Sequence, residues 1–600
     1  MTTPPSAAII RKTKWIFPKL DAARERALAD ALGILPLTAR VLLSRGYGDQ
    51  GDARQFLETP LSGLHDPYLL SGMAEAVPRL LLAIARRESI LIYGDYDVDG
   101  TTSIVILKKA IEMAGGIARY HVPHRLIEGY GMRAEVIEEA AASGVTLVIS
   151  VDTGIRAQEV VSVARARGMD VIVTDHHIPE AELPPALAVL NPNRADCAYP
   201  EKNLCGAGVA FKLVQALLGT LGWPAAKLQR VLESFLKLVA VATVADVVPL
   251  VGENRIIVKH GLAGLDDVKN PGLRALLDTA GFEAGKRPTA TEVAFRVAPR
   301  INAAGRMANA RDVIRMFLTS DAAEARTIAG ALHALNQERQ QTEADIVRAV
   351  LDECVRKPVG DDQMALVFSG ADWHRGVVGI VASRLVERFS RPVFVLSQDS
   401  ASGEAAGSGR SIKAFHLLDA LESMPDLFRK FGGHKQAAGL TLAAARVDEF
   451  RERLSAYAAT RLQASDLRPQ LDIDATLRLD EINDAGVAEI LSLAPFGCGN
   501  SMPVFAVLEV ELAAAPKIVK EKHARLTLRQ NGRAISAMGW NMAERASTLE
   551  VGARMDAAIS VQSDEYARSR GWGDWSVLLK DVRLCENAFP SQDGKLKKPA

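Results

Sequence analysis

An apolar run, Ser89-Ile90-Leu91-Ile92, gives way after Tyr93 to Gly94-Asp95-Tyr96-Asp97-Val98-Asp99-Gly100, and Thr101-Thr102 then opens a helix-like pattern. Three alternating carboxylates at that junction constrain the fold more than any other feature of the chain. Sheets of α/β proteins bind ligands outside the carboxyl ends of their strands, and clustered carboxylates there suit a divalent cation. The same grammar returns twice. Residues 145–152 end in Asp152-Thr153-Gly154, and residues 170–174 run into Asp175-His176-His177. With residues 117–123 and 188–191 they make five apolar runs, separated by helical patterns such as 134–143 and 157–167. Near-continuous apolar strands alternating with helices predict a parallel sheet covered on both faces. Three strand ends then converge on one crevice, which packing alone does not require.

Six hundred residues exceed what one core organises, so three or four domains are expected. Residues 208–350 read as helical, and 322–350 as one long polar helix connecting two lobes. Residues 358–460 restart an α/β pattern, with glycine-rich turns expected at 403–411 and 431–434. From 465 to 588 short strand-like runs (504–512, 524–529, 534–540, 557–561, 576–579) predict a small five-stranded β-barrel of OB-fold size. The expected divisions are therefore 1–74, 75–270, 271–357, 358–460 and 465–588, with a basic, disordered tail at 589–600. The basic start of the chain (Lys12, Lys14, Lys19, Arg24, Arg26) reads as a solvated arm.

A hydrophobic share of 48% and a charged share of 24% describe an ordinary globular chain, and a formal net charge of zero selects no partner. The five cysteines form no CxxC pair, which argues against zinc and for a reducing compartment. The first residues lack the apolar core of a signal peptide, and residues 236–251 are too short and too polar to span a bilayer. A cytoplasmic protein with no membrane partner is expected.

Asp97 and Asp99 stand two apart, which on a strand places both carboxylates on one face. Asp152, His176 or His177, and Asp246 add further ligands. Carboxylates with one or two histidines suit Mn²⁺ or Mg²⁺ better than Zn²⁺. Five ligands exceed one ion's usual need, and two ions about 3.5–4 Å apart clamp the attacking and leaving oxygens of a phosphate. His177 either donates a proton to the reacting phosphate or supports a ligand; the residues alone leave both open. Asp95 and Asp175 are expected behind the ligands. Arg306, Ser408, Arg410 and His434 lie in glycine-rich stretches, where backbone amides and arginine forks match phosphate oxygens. His374 is either a phosphate contact or a packed histidine. In the barrel region Phe505 and Trp540 read as core, and Trp572, between glycines, as a base-stacking residue.

The ordered motifs Asp97-Val98-Asp99, Asp152-Thr153-Gly154, Asp175-His176-His177 and Asp246 resemble those of the DHH phosphoesterase superfamily. Pro123-His124-Arg125 with Glu128-Gly129-Tyr130-Gly131, Arg300-Ile301-Asn302-Ala303-Ala304-Gly305-Arg306, Trp373-His374, Ser408-Gly409-Arg410-Ser411 and Gly432-Gly433-His434 resemble the RecJ family of single-strand-specific DNA exonucleases. The resemblance covers roughly residues 75–585. It implies a DHH catalytic lobe, a DHH-associated lobe and an OB-fold. It also implies Asp97, Asp99, Asp152, His176 and Asp246 as ligands of two Mn²⁺ or Mg²⁺ ions, with Asp152 bridging, and His177, Asp95 and Asp175 beside them. Arg125, Arg300, Asn302, Arg306, His374, Ser408, Arg410 and His434 are implied on the DNA, with Arg306, Ser408 and Arg410 at a 5′-terminal phosphate. Inorganic pyrophosphatases of the superfamily carry a ligand histidine where this chain has Tyr93, and His124 stands where the RecJ pattern has asparagine.

The implied activity is metal-dependent 5′→3′ hydrolysis of single-stranded DNA to mononucleotides in repair and recombination, by a monomer. A single-strand-binding protein and a helicase are the implied partners. Two rivals remain: a phosphodiesterase of short oligonucleotides or cyclic dinucleotides, and an inactive replication scaffold. The intact set of carboxylates disfavours the scaffold, and the added barrel disfavours a short substrate.

Overall fold

The structure is a computed structural model that describes residues 13–125, 127–571 and 573–585. The expectations for Trp572 and for the tail at 589–600 fall outside the described residues. The chain divides into two compact units, one spanning Leu61–Arg468 and the other made of the segments on either side, 13–60 and 469–585.

In the first unit, five parallel strands form a sheet in the order Ala118–His121, Ser89–Tyr93, Val145–Val151, Asp170–Thr174, Ala188–Leu190. Alternation sends Ile90, Ile92, Leu147 and Ile149 into one apolar core and Leu91, Tyr93, Val148 and Val171 into another, so both faces are covered. The register aligns the carboxyl ends: Tyr93 is level with Ser150, and Val151 with Thr174. The strand beginning at Ser89 stops at Tyr93 instead of running to Asp97. Asp97 has extended backbone and caps the helix Val98–Met113, so Asp99 sits in a helical first turn rather than on a strand. The reason is local: Asp97 satisfies two amides that a helix start leaves without partners.

The helix Ala322–Arg356 runs 35 residues without a break. Its first half buries Ala325, Ile328, Ala329 and Leu332 in the core of the first lobe. Its second half buries Ile346 and Val350 beneath the next sheet. That sheet has the order Phe428–Gly433, Ala437–Ala443, Glu404–Arg410, Val393–Asp399, Leu366–Ala371, with only the last pair parallel. The glycine-rich stretches expected as turns are therefore strands. Glycine is required there for close packing: a Cβ on Gly407 would strike the Val395 carbonyl, and one on Gly409 the Phe394 ring.

In the second unit, Phe505–Val519, His523–Gln530, Arg533–Gly539, Trp575–Leu584 and Arg554–Ser563 close into a five-stranded barrel, with the first strand pairing the last. The two-residue strand Ala475–Thr476 pairs parallel with Phe505–Val519. Phe505 is core, as expected. Trp540 is not: it is 57% exposed, because inward positions alternate through Ala537 and Gly539 and leave residue 540 pointing outward.

The expected solvated arm is folded. Lys14–Ile16 pairs with Gln470–Asp472, and the helices Ala22–Leu32, Pro36–Ser44 and Gln50–Glu58 share one core with the barrel. Trp15 Nε1 donates to buried Asp581 at 2.6 Å, and Arg545 pairs with the same carboxylate. Basic residues in this segment alternate with Leu28, Leu37, Val41, Leu42 and Phe56, whose helical spacing was masked by the charges between them.

Candidate metal centre and phosphate cleft

Backbone amides position the carboxylates. Asp97 accepts from the amides of Asp99 (2.9 Å) and Gly100 (3.0 Å). Asp99, fully buried, accepts from Gly206 (2.6 Å) and Ala207 (2.7 Å) at the start of the helix Gly206–Gly219. Gly206 also leaves room for Asp152, since a Cβ there would lie 2.6 Å from that of Asp152. Asp152 has φ 58°, a strained turn that directs its carboxylate inward. Asp246 caps the far end of the helix Ala225–Ala245, where Val247 takes φ 62°.

His176 joins these groups. Its Nε2 lies 3.3 Å from Asp152 Oδ1 and 3.9 Å from Asp99 Oδ2, and its Nδ1 is 3.8 Å from Asp246 Oδ2. Three sets of side chains bring donor atoms within 4.8 Å of one another: Asp152 with His176 and His177, Asp99 with His176 and Asp246, and Asp95 with Asp97 and Asp152. Asp152 and His176 each belong to two sets, as sites sharing a ligand require. Asp95, expected behind the ligands, stands among them. Its buried Oδ1 and that of Asp152 receive no hydrogen bond. Burial and mutual repulsion push Asp95 and Asp152 well above the usual carboxylate range, Asp99 upward, and Asp246 up to about 9. Oxygen-rich, unsatisfied and self-repelling, the cluster fits hard divalent cations.

Asp175 has a different role. It accepts from the amides of Ile155 (2.9 Å), His176 (2.7 Å) and His177 (3.1 Å), and its Oδ1 is 2.7 Å from His177 Nδ1. Burial would raise its pKa, but the His177 contact and these amides hold it below the ordinary value. His177 moves the other way: burial would lower it, and Asp175 keeps it raised. Tyr93 occupies a core position, and its hydroxyl donates to the Gly131 carbonyl at 3.2 Å. His121 Nε2 (3.2 Å) and the His124 amide (2.7 Å) both meet Glu128, which fixes the following loop.

Arg125, Arg306 and Arg410 gather on the same cleft. Burial, then Arg125 and Arg410, push Arg306 down to about 10, and burial with Arg125 lowers Arg410. Arg306 donates to the Gly376 carbonyl (3.2 Å) and Arg410 to that of Gly409 (2.8 Å). Gly379, in the first turn of the helix Val378–Phe389, faces the Arg410 guanidinium and the Ser408 hydroxyl across space a Cβ would narrow. His374 Nδ1 accepts from the Gly376 amide (3.1 Å) and shapes that helix start. His434 is exposed, and burial, then Arg156 and His177, lower its pKa.

Two expected DNA contacts are employed otherwise. Arg300 donates to the carbonyl of Arg296, one turn before it, and to that of Thr279 at the end of the helix Pro271–Thr279. Asn302 accepts from the Val98 amide (3.2 Å), steadying the turn between Asp97 and Asp99. Gly305 lets that helix approach, since a Cβ there would meet the Tyr96 carbonyl. Residues not singled out beforehand also hold the site. Asn191 and Asn193 donate to the carbonyls of His177 (2.8 Å) and His176 (2.6 Å). The Asn191-Pro192-Asn193 turn after a strand was the available signal.

Three family models match: the DHH family, N-terminal domain, over residues 89–243; the DHHA1 domain over 361–460; and the RecJ OB domain over 473–572. The single-stranded-DNA-specific exonuclease RecJ of Bacillus subtilis (strain 168) is 37% identical over 578 residues, 96% of this chain and 71% of that protein. The protein of the same name from Dickeya dadantii is 42% identical over 486 residues, 78% of this chain and 84% of that one. The crystal structure of RecJ in complex with Mn²⁺ from Thermus thermophilus superposes with a TM-score of 0.81 at 32% identity, covering 96% of this chain and 80% of that one. With domain matches in the same order along the sequence and identity sustained over most of its length, the chain belongs to the RecJ family.

Proposed function

We propose that this chain is a divalent-metal-dependent exonuclease that removes mononucleotides from the 5′ end of single-stranded DNA, in repair and recombination. One observation carries the reading: a cluster of self-repelling carboxylates and a cluster of self-repelling guanidiniums share one cleft, with Arg125 acting on both Asp95 and Arg306. The similarity to exonucleases of that name over most of the chain supports it.

Asp97, Asp99, Asp152, His176 and Asp246 would hold Mn²⁺ or Mg²⁺, and Asp95 groups with Asp97 and Asp152 close enough to join them. When bound, the ions supply Lewis-acid charge at the attacking and leaving oxygens. Arg306, Ser408 and Arg410 bind the 5′-terminal phosphate and set the polarity. Asp175 engages His177 at Nδ1 and leaves Nε2 to carry a proton to the leaving oxygen. The barrel is of the OB class, a fold that holds single strands.

A helicase that opens duplex and a single-strand-binding protein that covers the exposed strand are the partners an exonuclease of this kind would use. All five cysteines are free, which suits the reducing cytoplasm. No single helix among the described residues is long and apolar enough to cross a membrane.

The test is product release from single strands labelled at either end, with Mn²⁺ or Mg²⁺ and a duplex control. Mononucleotides released from the 5′ end alone, with duplex spared, are expected. Hydrolysis of di- to pentanucleotides without attack on long strands would replace this reading by a short-oligonucleotide phosphodiesterase.

A further inference from the structure

Tyr130 is anchored at one end and open at the other. Its hydroxyl lies 3.3 Å and 3.5 Å from the two ring nitrogens of His177 and 3.4 Å from the Asp152 carbonyl. Its ring meets that of His177 edge-on, with centroids 5.7 Å apart. Yet the residue is 55% exposed. A tyrosine kept for packing hides its ring and leaves its hydroxyl wet; here the arrangement is reversed.

The surroundings extend the open surface. Ile178, next to His177, is 61% exposed, and Ile127, on the same loop as Tyr130, is 78% exposed. Gly129 (φ 80°) and Gly131 (φ 100°) flank the tyrosine, and a Cβ on either would meet nothing within 4 Å. These glycines serve the backbone turn and keep both flanks of the ring clear. The loop is held in place rather than hanging free. Glu128 receives the His124 amide, Arg133 reaches the Glu128 carbonyl (3.3 Å), and Tyr93 the Gly131 carbonyl.

We propose that the exposed Tyr130 ring, held edge-on against His177, seats the base of the nucleotide being removed. This rests on the exonuclease reading above. An enzyme that degrades any sequence must grip its terminal nucleotide without reading it. An aromatic face does so, because every base offers a π-surface. The tie from the Tyr130 hydroxyl to His177 fixes the seat relative to the group that faces the scissile phosphate.

The experiment compares 5′-phosphorylated single strands whose terminal nucleotide is either normal or abasic, cut by wild type, Tyr130→Leu and Tyr130→Phe. Wild type should cut the abasic end less efficiently by roughly tenfold or more, the size of one base–aromatic stack. Tyr130→Leu should lose that discrimination, with the deficit on normal DNA in KM rather than in kcat. Tyr130→Phe, which keeps the ring, should keep the discrimination. An equal loss by Tyr130→Leu on both strands, or a loss in kcat alone, would overturn the seat and leave Tyr130 as a support for His177. Wild type cutting both ends equally well would also overturn it. Failure of wild type to cut single strands at all would remove the exonuclease reading itself, a result distinct from the others.

Discussion

The carboxylate cluster and the arginine cluster are mirror images in physics. Asp97 and Asp99 are pinned by backbone N–H groups at helix starts. Arg306 and Arg410 are pinned by backbone carbonyls. In each, burial and then like-charge repulsion shift groups toward neutrality: Asp152 and Asp246 upward, Arg306 and Arg410 downward. Among the described residues neither cluster forms a salt bridge with the other or with a further Lys, Arg, Asp or Glu side chain. Each therefore awaits a charge from outside, cations for one and phosphate for the other. A phosphodiester near a terminal phosphate supplies work for both. A buried charge already paired within the fold teaches the opposite lesson, and Asp581, beside Arg545 and Trp15, is that case.

The largest expected effect is that of Asp152→Ala, a loss of hydrolysis on the order of 10³-fold or more. The thermal midpoint should hold or rise, because a repelling carboxylate is removed. Near-normal turnover in excess Mn²⁺ would break the two-cation assignment. Asp581→Ala should do the reverse to stability. It leaves the buried Trp15 Nε1 and the half-buried Arg545 without their shared acceptor and should cost about 1–3 kcal/mol in denaturant unfolding of the barrel unit. Equal stability of the two variants would erase the distinction between paired and unpaired charge. Arg410→Ala should cut the preference for 5′-phosphorylated over 5′-hydroxyl ends by roughly ten- to a hundredfold, the loss of a charged hydrogen bond. Equal losses on both ends would take Arg410 out of end recognition. Asn302→Ala, which frees the turn between two carboxylates, should weaken Mn²⁺ binding about tenfold by calorimetry. No change would make its contact with Val98 incidental.

The two clusters were unequally legible in the sequence. Asp97 and Asp152 follow strands whose apolar runs are continuous, so position along the chain nearly gave position in space; the helical setting of Asp99 was hidden because an N-cap aspartate reads like a strand end, and Asp95 stands among the candidate ligands rather than behind them. Arg125, Arg306 and Arg410 come from three distant segments, and no local pattern joins them; their grouping came from the family resemblance. Arg300 and Asn302 belong to the same motif as Arg306, yet they face the backbone, a difference set by helical phase that a motif does not express. Glycine misled twice at 403–411 and 431–434, where it was needed for sheet packing rather than for turning. In the first helices, charges between the apolar positions hid an amphipathic pattern completed only by residues from the other end of the chain.

The joining of the first helices to the last strands bears on synthesis. Trp15 and Asp581 are separated by 566 positions. At 5–20 residues per second a ribosome takes roughly half a minute to two minutes to cover that interval. Throughout it, the apolar faces of the helices Ala22–Leu32, Pro36–Ser44 and Gln50–Glu58 have no barrel to cover them, while the segment Leu61–Arg468 emerges and collapses. The order of assembly is thus inverted relative to the order of translation for these residues. These helices are made before the barrel strands and buried only with them, and a nascent chain stalled before those strands carries a sticky segment.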